Sequence, residues 1–447
     1  MRFFLAIALL LIASGPRTPA AQTAADVTPL VYTVAKIFDP LAWLHGADRF
    51  PGGAQIYLSN ESGRRLLIPN FAASADASIS FDGQKILFSG KAHPADLWQI
   101  WELDLASDKL HPITSFPDDC VRPFYLPDDR VVYARRVAGR FVVETKELSG
   151  SKILDLTYTS SNALPTDVLR DGRILFESAY PLGTDGTPEI YTVYSDGSGV
   201  ESYRCDHGPA RYAAKQHSSG DTVFPTLRAL AKFTSARAQQ LTIVAPAGEY
   251  AGEISELATG AWLLAWRADA RTPYRIVRWI PDTSDLEPVI AEPDENVLQP
   301  VVLATRTTPN RHPSGLHDWP NANLLCLNAY TSKYRIAAGS IQSLRLYTRD
   351  DSGHPRLLGT APVERDGSFF VQVPSEQPLQ FELLDGSGKT LKREAGYFWM
   401  RRGEQRVCVG CHAGPEMAPE NAVPQVLLKF TTPSDLTGGA AQSAGGH

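Results

Sequence analysis

The chain is short of basic charge, of long apolar runs and of the usual hydrolase signatures. Its 447 residues carry 43 Lys and Arg against 49 Asp and Glu, a formal net charge of −6. Nucleic-acid binders show a basic excess on one face, so that class is set aside. The longest apolar stretch, residues 3–13, has eleven residues, where a bilayer span takes about 20. Nothing later in the chain is apolar enough to cross a membrane, so no span is expected in the mature protein. Gly-x-Ser-x-Gly, His-Glu-x-x-His and a phosphate loop are all missing, which removes the readiest hydrolytic and nucleotide-binding readings.

What is present begins with an export signal. Arg2, the apolar run and the small residues around Pro19, Ala20 and Ala21 read as a signal peptide over residues 1–21. No Cys follows the run, which disfavours a lipid anchor, and the mature protein is expected to be periplasmic or secreted. The 34 Gly and 33 Pro make up about 15% of the chain, somewhat above an average near 12%, and so many turns are expected.

Those turns recur. Asp82-Gly83 and Asp171-Gly172 each precede an Ile-Leu-Phe strand, and Asp128-Asp129, Gly220-Asp221 and Thr259-Gly260 hold equivalent places, 39 to 49 residues apart. Asp-Gly between apolar runs is a strong hairpin signal, because Gly accepts positive φ. A second hairpin follows each, with starts near 99, 142, 190, 229 and 274, and a hairpin near 55 that lacks its preceding inner strands makes six. Four strands per repeat of about 44 residues is the pattern of a propeller blade. The expected fold is all-β: a six-bladed β-propeller over 40–306, with seven blades open as an alternative, followed by a small antiparallel β-sandwich. A strand near 298–305 should complete the first blade and close the ring. Residues 307–323 read as a linker packed by Trp319, 324–400 as the sandwich, 401–430 as a cofactor segment and 431–447 as a disordered tail.

In a propeller, the loops entering the innermost strands line the channel mouth. Here they supply Asp76, Asp119, Cys120, Arg122, Asn162, Asp206, His207, Arg211, Glu249 and Glu295.

The strongest motif is Cys408-Val409-Gly410-Cys411-His412. Cys-x-x-Cys-His is the attachment sequence of haem c: two thiols add to the haem vinyl groups and the next His ligates the iron. A thioredoxin-like disulfide would need a βαβ setting, and a paired zinc site a second Cys-x-x-Cys; the sequence has neither.

Residues 367–374 (Gly-Ser-Phe-Phe-Val-Gln-Val-Pro), 378–385 and 402–412, together with Asn323-Leu-Leu-Cys-Leu-Asn328, resemble the middle domain of the hydrazine synthase alpha subunit and its relatives. The resemblance covers about residues 40–415. It implies a propeller whose haem is carried by an adjoining sandwich. Two departures stand out: this chain has one Cys-x-x-Cys-His rather than two, and residues 413–420 lack the family's Tyr. A Tyr iron ligand is therefore not carried over, and hydrazine synthesis is not expected.

The second iron ligand stays open. Met417 could fold back, with Met400 weaker; His207 or Cys120 could reach the iron, or a second metal, from the propeller, and His312 or His317 from the linker. Each could equally be a packing or solvent-exposed residue. Arg122 and Arg211 could pair with haem propionates. Cys326 reads as buried, and a Cys120–Cys205 disulfide is open. The expected function is redox or electron transfer with a redox partner protein or a small-molecule substrate. If the chain is an enzyme, it is a haem-dependent oxidoreductase, with the haem near the propeller face. The alternative is a propeller binding or scaffold module whose haem is structural or sensory.

Overall fold

The computed structural model describes residues 28–180, 186–204, 210–227, 229–236, 238–350, 353–411 and 421–438. Among them strands dominate; the helical elements are one 3-10 turn, Ala42–His45, and one short helix, Gln425–Lys429. No helix of the described residues is long and apolar enough to cross a membrane.

From residue 30 to 302 the chain builds six antiparallel sheets in succession. The second runs Ala73–Ile79, Lys85–Lys91, Gln99–Asp104, Lys109–Pro112, the two-hairpin order read from the repeats. Gly83 and Gly172 sit at φ 74° and 85°, in the turns the Asp-Gly pairs marked. The innermost strands contact one another in turn: Asn296–Val302, Ala73–Ile79, Cys120–Tyr125, Ala163–Val168 and Lys215–Gln216, with Ser255–Glu256 returning to Asn296–Val302. The sheets thus surround one axis as a β-propeller. The repeats weakest in sequence have the least regular inner strands. Lys215–Gln216 has two residues, and its neighbour is split into Glu249–Tyr250 and Ser255–Glu256.

Asn296–Val302 does close the first sheet, but its partner is Leu30–Ala35, ahead of the expected start at 40; that strand then pairs with Gln55–Asn60. All six residues of Leu30–Ala35 are buried. A strand covered on both faces shows no alternation, so periodicity passes over it.

Between those two strands, residues 36–54 form a plug. Trp43 and Phe50 are sealed in an apolar cluster with Ala35, Ala75, Val121, Leu164, Ala251 and Leu298, drawn from inner strands and the segments beside them. Several bonds pin the plug to the blades, three of them from blade side chains to Leu44, Gly46 and Asp48. Asn162 Nδ2 donates to Leu44 O (2.9 Å), Arg136 Nη1 to Gly46 O (2.8 Å) and Trp98 Nε1 to Asp48 Oδ2 (3.3 Å).

The sandwich has two four-stranded sheets. One runs Gln405–Cys408, Asn321–Cys326, Phe369–Pro374, Ser434–Asp435; the other Pro355–Pro362, Ser343–Arg349, Leu379–Leu384, Thr390–Arg393. Residues expected in a disordered tail therefore contribute an edge strand, and Leu436 is buried beside it. Residues 439–447 lie outside the described set.

The sandwich docks on the outer part of the third and fourth sheets. Trp399 is fully buried among Leu156, Phe176 and Val193, and its Nε1 donates to Leu156 O (3.1 Å). Arg401 donates to Tyr158 Oη and pairs with Glu376 (3.0 Å). The Gly199 N–H donates to Glu404 Oε1 (3.1 Å). Trp319, the expected anchor, is 48% exposed and stacks on His317 (centroids 4.5 Å). The linker is instead held by backbone bonds and by His312 and Ser314. Arg306 N bonds Phe81 O (2.9 Å) and Asn310 N bonds Arg170 O (2.8 Å), beside the Asp-Gly turns.

Candidate functional site

Two places bring chemically active side chains together: the propeller axis and the end of the sandwich sheet that carries Cys408.

At the axis, inner strands bulge at one level. Register shifts fall at residues 75–78, 121–124 and 165–167, and Asp76, Arg122, Ala213 and Gln299 all take left-handed φ, 48° to 58°. Non-glycine residues rarely adopt that conformation. Here interior bonds hold it: Gln299 Nε2 donates to Asp76 Oδ1 (2.6 Å), Ala213 N to Glu177 Oε2 (2.6 Å), and Arg122 donates to Glu177 Oε1. Arg49, from the plug, reaches Glu253 (3.0 Å) and Asp76 (3.6 Å). Burial raises the Asp76 carboxyl even against Arg49 and Arg122. Burial acts the same way on Glu253, but there the two guanidiniums outweigh it and hold the carboxyl at about 2.

The axis is thus filled and charge-paired by the protein itself. Arg122, 4% exposed, has Glu177 and Glu253 as partners; Arg211, 2% exposed, has Glu189 at 2.9 Å. Neither guanidinium is held out toward a propionate. Asp119 accepts from Trp98 N (3.0 Å) and Asn162 tethers the plug, so both are structural. Arg49, Glu177, Glu253 and Gln299 were not read from the sequence as axis residues. Glu177 had a signal: it is a carboxylate after Ile174-Leu-Phe176, where the matching repeat has Ser89.

Cys120 is fully buried against Leu87, Ile100 and Val131, and burial pushes its thiol up to about 12. It faces neither the axis nor solvent, so the ligand role considered for it fails. It is a free thiol; Cys205 and His207 lie outside the described residues, as do His412 and Met417. Met400 is sealed in the sandwich core, which removes it as an iron ligand. His312 stacks on Tyr194 (3.7 Å).

The second place is built on the strand Gln405–Cys408, which runs parallel to Asn321–Cys326 with Cys408 in register opposite Cys326. Leu327 N donates to Cys408 O (2.9 Å). The chain then turns tightly at Gly410, where a Cβ would stand 2.1 Å from Thr331 O, so only Gly fits. That turn returns Cys411 to the core beside Cys408. The Cys326 and Cys411 thiols lie close enough to interact. That interaction, with burial, raises Cys326 well above the ordinary thiol value; the same interaction lowers Cys411, against the upward push of burial. Burial pushes Cys408 up to about 11.

Exposed apolar residues gather along this part of the chain. Val407 is 59% exposed, Val423 62% and Leu428 72%, with Val409, Leu427 and Phe430 also exposed. The helix Gln425–Lys429 is fixed at the same end of the sheet, since Gln425 N donates to Asp366 Oδ2 (2.8 Å) and Val426 N to Ser368 Oγ (3.1 Å). Paired thiols next to uncovered aliphatic side chains fit a flat apolar macrocycle held by thioethers. The motif lies near the outermost strand of the fourth sheet, Glu201–Ser202, and Glu201 is close enough for its charge to act on Cys408. That is the rim of the propeller, whereas a channel-facing position was expected.

Residues 330–413 match the family described as "Hydrazine synthase alpha subunit middle domain". Over these residues the chain is similar to that middle domain. The match takes in the register-bearing strand Gln405–Cys408 and both motif cysteines. Kuenenia stuttgartiensis hydrazine synthase superposes with a TM-score of 0.79 at 17% identity, covering 90% of this chain and 72% of that one. The likeness of fold to that structure therefore extends beyond residues 330–413 into the propeller. TolB from Acinetobacter baumannii aligns more loosely, with a TM-score of 0.42 at 14% identity over 61% of this chain and 67% of that one. No curated protein matches the chain.

Proposed function

We propose that this chain is an exported, periplasmic or secreted protein with a six-bladed propeller and one covalent haem c, serving redox chemistry or electron transfer. The observation that carries the reading is the Cys408–Cys411 pair, poised at a sheet end among uncovered aliphatic side chains. Cys408 and Cys411 would hold the haem and His412 would ligate its iron. Bound there, the group supplies a one-electron couple.

The chain's own residues set where that couple sits. The strand pairing with Asn321–Cys326 fixes Cys408, and the Gly410 turn fixes Cys411. Arg406 is engaged by Glu404 (2.7 Å), so that guanidinium holds the strand. Trp399 and Arg401 tie the whole unit to the propeller rim. With the axis closed by its own plug, a partner meeting the rim is favoured over a substrate entering along the axis.

The test is expression of the full chain with haem-maturation machinery. Absorption spectra of the oxidised and reduced protein, and haem retained through denaturing electrophoresis, are expected. Colourless protein of unmodified mass refutes the reading.

A further inference from the structure

Three of the described cysteines converge, although covalent attachment of one haem uses only two. Cys326, 1% exposed, ends the strand Asn321–Cys326, and Cys408 stands beside it in register. Residues 409–411 are pressed on the 328–331 loop, as Gly410 shows, and this carries the Cys411 thiol back to Cys326. The two thiols pack in the same core cluster, close enough to interact, and all three cysteines are free. Cys411 thus has two competing covalent fates: a thioether to a haem vinyl group, or a disulfide to Cys326.

We propose that the haem-free chain closes a Cys326–Cys411 disulfide on meeting a disulfide oxidant, and that this bond must be reduced before haem attaches. The half of cysteine chemistry that needs no haem proceeds in two exchanges. The Cys411 thiolate, the more accessible partner, attacks an external disulfide, forming a mixed disulfide and releasing one thiolate. Cys326 then attacks the Cys411 sulfur, losing its proton and expelling the second external thiol. Two protein thiols are oxidised and one external disulfide is reduced to two thiols. Reversal by a dithiol frees Cys411, and after attachment Cys326 remains as a lone thiol beneath the motif.

The second half, the gate on haem attachment, rests on the haem reading proposed above; the first does not. The experiment takes the full haem-free chain, incubates it with glutathione disulfide and maps crosslinked peptides by mass spectrometry. The expected result is a peptide pair joining Cys326 to Cys411, loss of those two thiols from a labelling count, and Cys408 still reactive. A Cys408–Cys411 or Cys326–Cys408 link, or three thiols still free, overturns the proposal. Haem is then supplied to oxidised chain with and without a dithiol reductant. Wild-type chain should lose covalent haem uptake without reductant, while C326A and C326S should take it up either way. Two cysteine replacements are used so that a fold defect in one does not decide the matter. Equal uptake by oxidised wild type overturns the gate. Absence of uptake by every chain, with the disulfide mapped, refutes the haem reading and leaves the disulfide standing.

Discussion

The propeller axis and the Cys408 end of the sandwich invite comparison, because both concentrate reactive side chains and they treat them oppositely. At the axis, Arg49, Asp76, Arg122, Glu177 and Glu253 are enclosed and matched to one another. At the sandwich end, apolar side chains such as Leu428 face outward with no protein covering them. A buried charge without a partner costs several kcal/mol, so the axis reads as a structural knot. An uncovered aliphatic group leaves stabilisation unused, so the sandwich end reads as a surface open to contact.

The comparison can be broken most decisively at the thiols. Cys408→Ala with Cys411→Ala should abolish covalent haem altogether, yet leave the β-rich circular dichroism and thermal transition of the haem-free chain nearly unchanged. Haem surviving electrophoresis in that variant would end the assignment. At the axis the reverse is expected. Arg122→Met strands the Glu177 carboxylate, which is 1% exposed, and should cost about 3–5 kcal/mol in chemical denaturation while leaving thiol reactivity at Cys408 intact. Between the two regions, Trp399→Ala should cost about 3–5 kcal/mol through cavity and lost packing. Limited proteolysis should then cut first between the two units rather than within a blade.

The smallest effect is a pH dependence confined to the propeller. His217 is buried edge-on to Trp262, and neither ring nitrogen makes a hydrogen bond of ordinary geometry. Burial lowers it from 6.5 to about 4, against the attraction of Glu256 and Asp221 and together with repulsion from Lys215. The unfolded chain therefore binds the proton first as pH falls. The neutral ring's contribution is complete above pH 6.5 and lost between 6.5 and 4, in total about 3 kcal/mol. Denaturation midpoints across that range should slope for wild type and flatten for His217→Leu.

Much of the architecture was legible because turns are local. Asp82-Gly83 and Asp171-Gly172 announce hairpins by backbone need alone. Leu30–Ala35 was missed because double-sided burial erases alternation. Trp319 was read as the anchor, and Trp399 was passed over, because sequence shows an aromatic residue without showing what it faces. Arg122 and Arg211 were read as reaching for an outside carboxylate. Their real partners, Glu177 and Glu189, lie 55 and 22 residues away along the chain, beyond any spacing rule.

The ring's clasp has a consequence for how the protein comes into being. Thr33 and Gln299, hydrogen-bonded at 2.7 Å, are 266 positions apart. The first strand made must therefore wait, uncovered, until nearly the last strand of the circle emerges. Joining such distant segments is entropically slow. Assembly of this molecule should show a late, rate-limiting latch, and a chain cut short before residue 296 should persist as an open arc with a sticky edge.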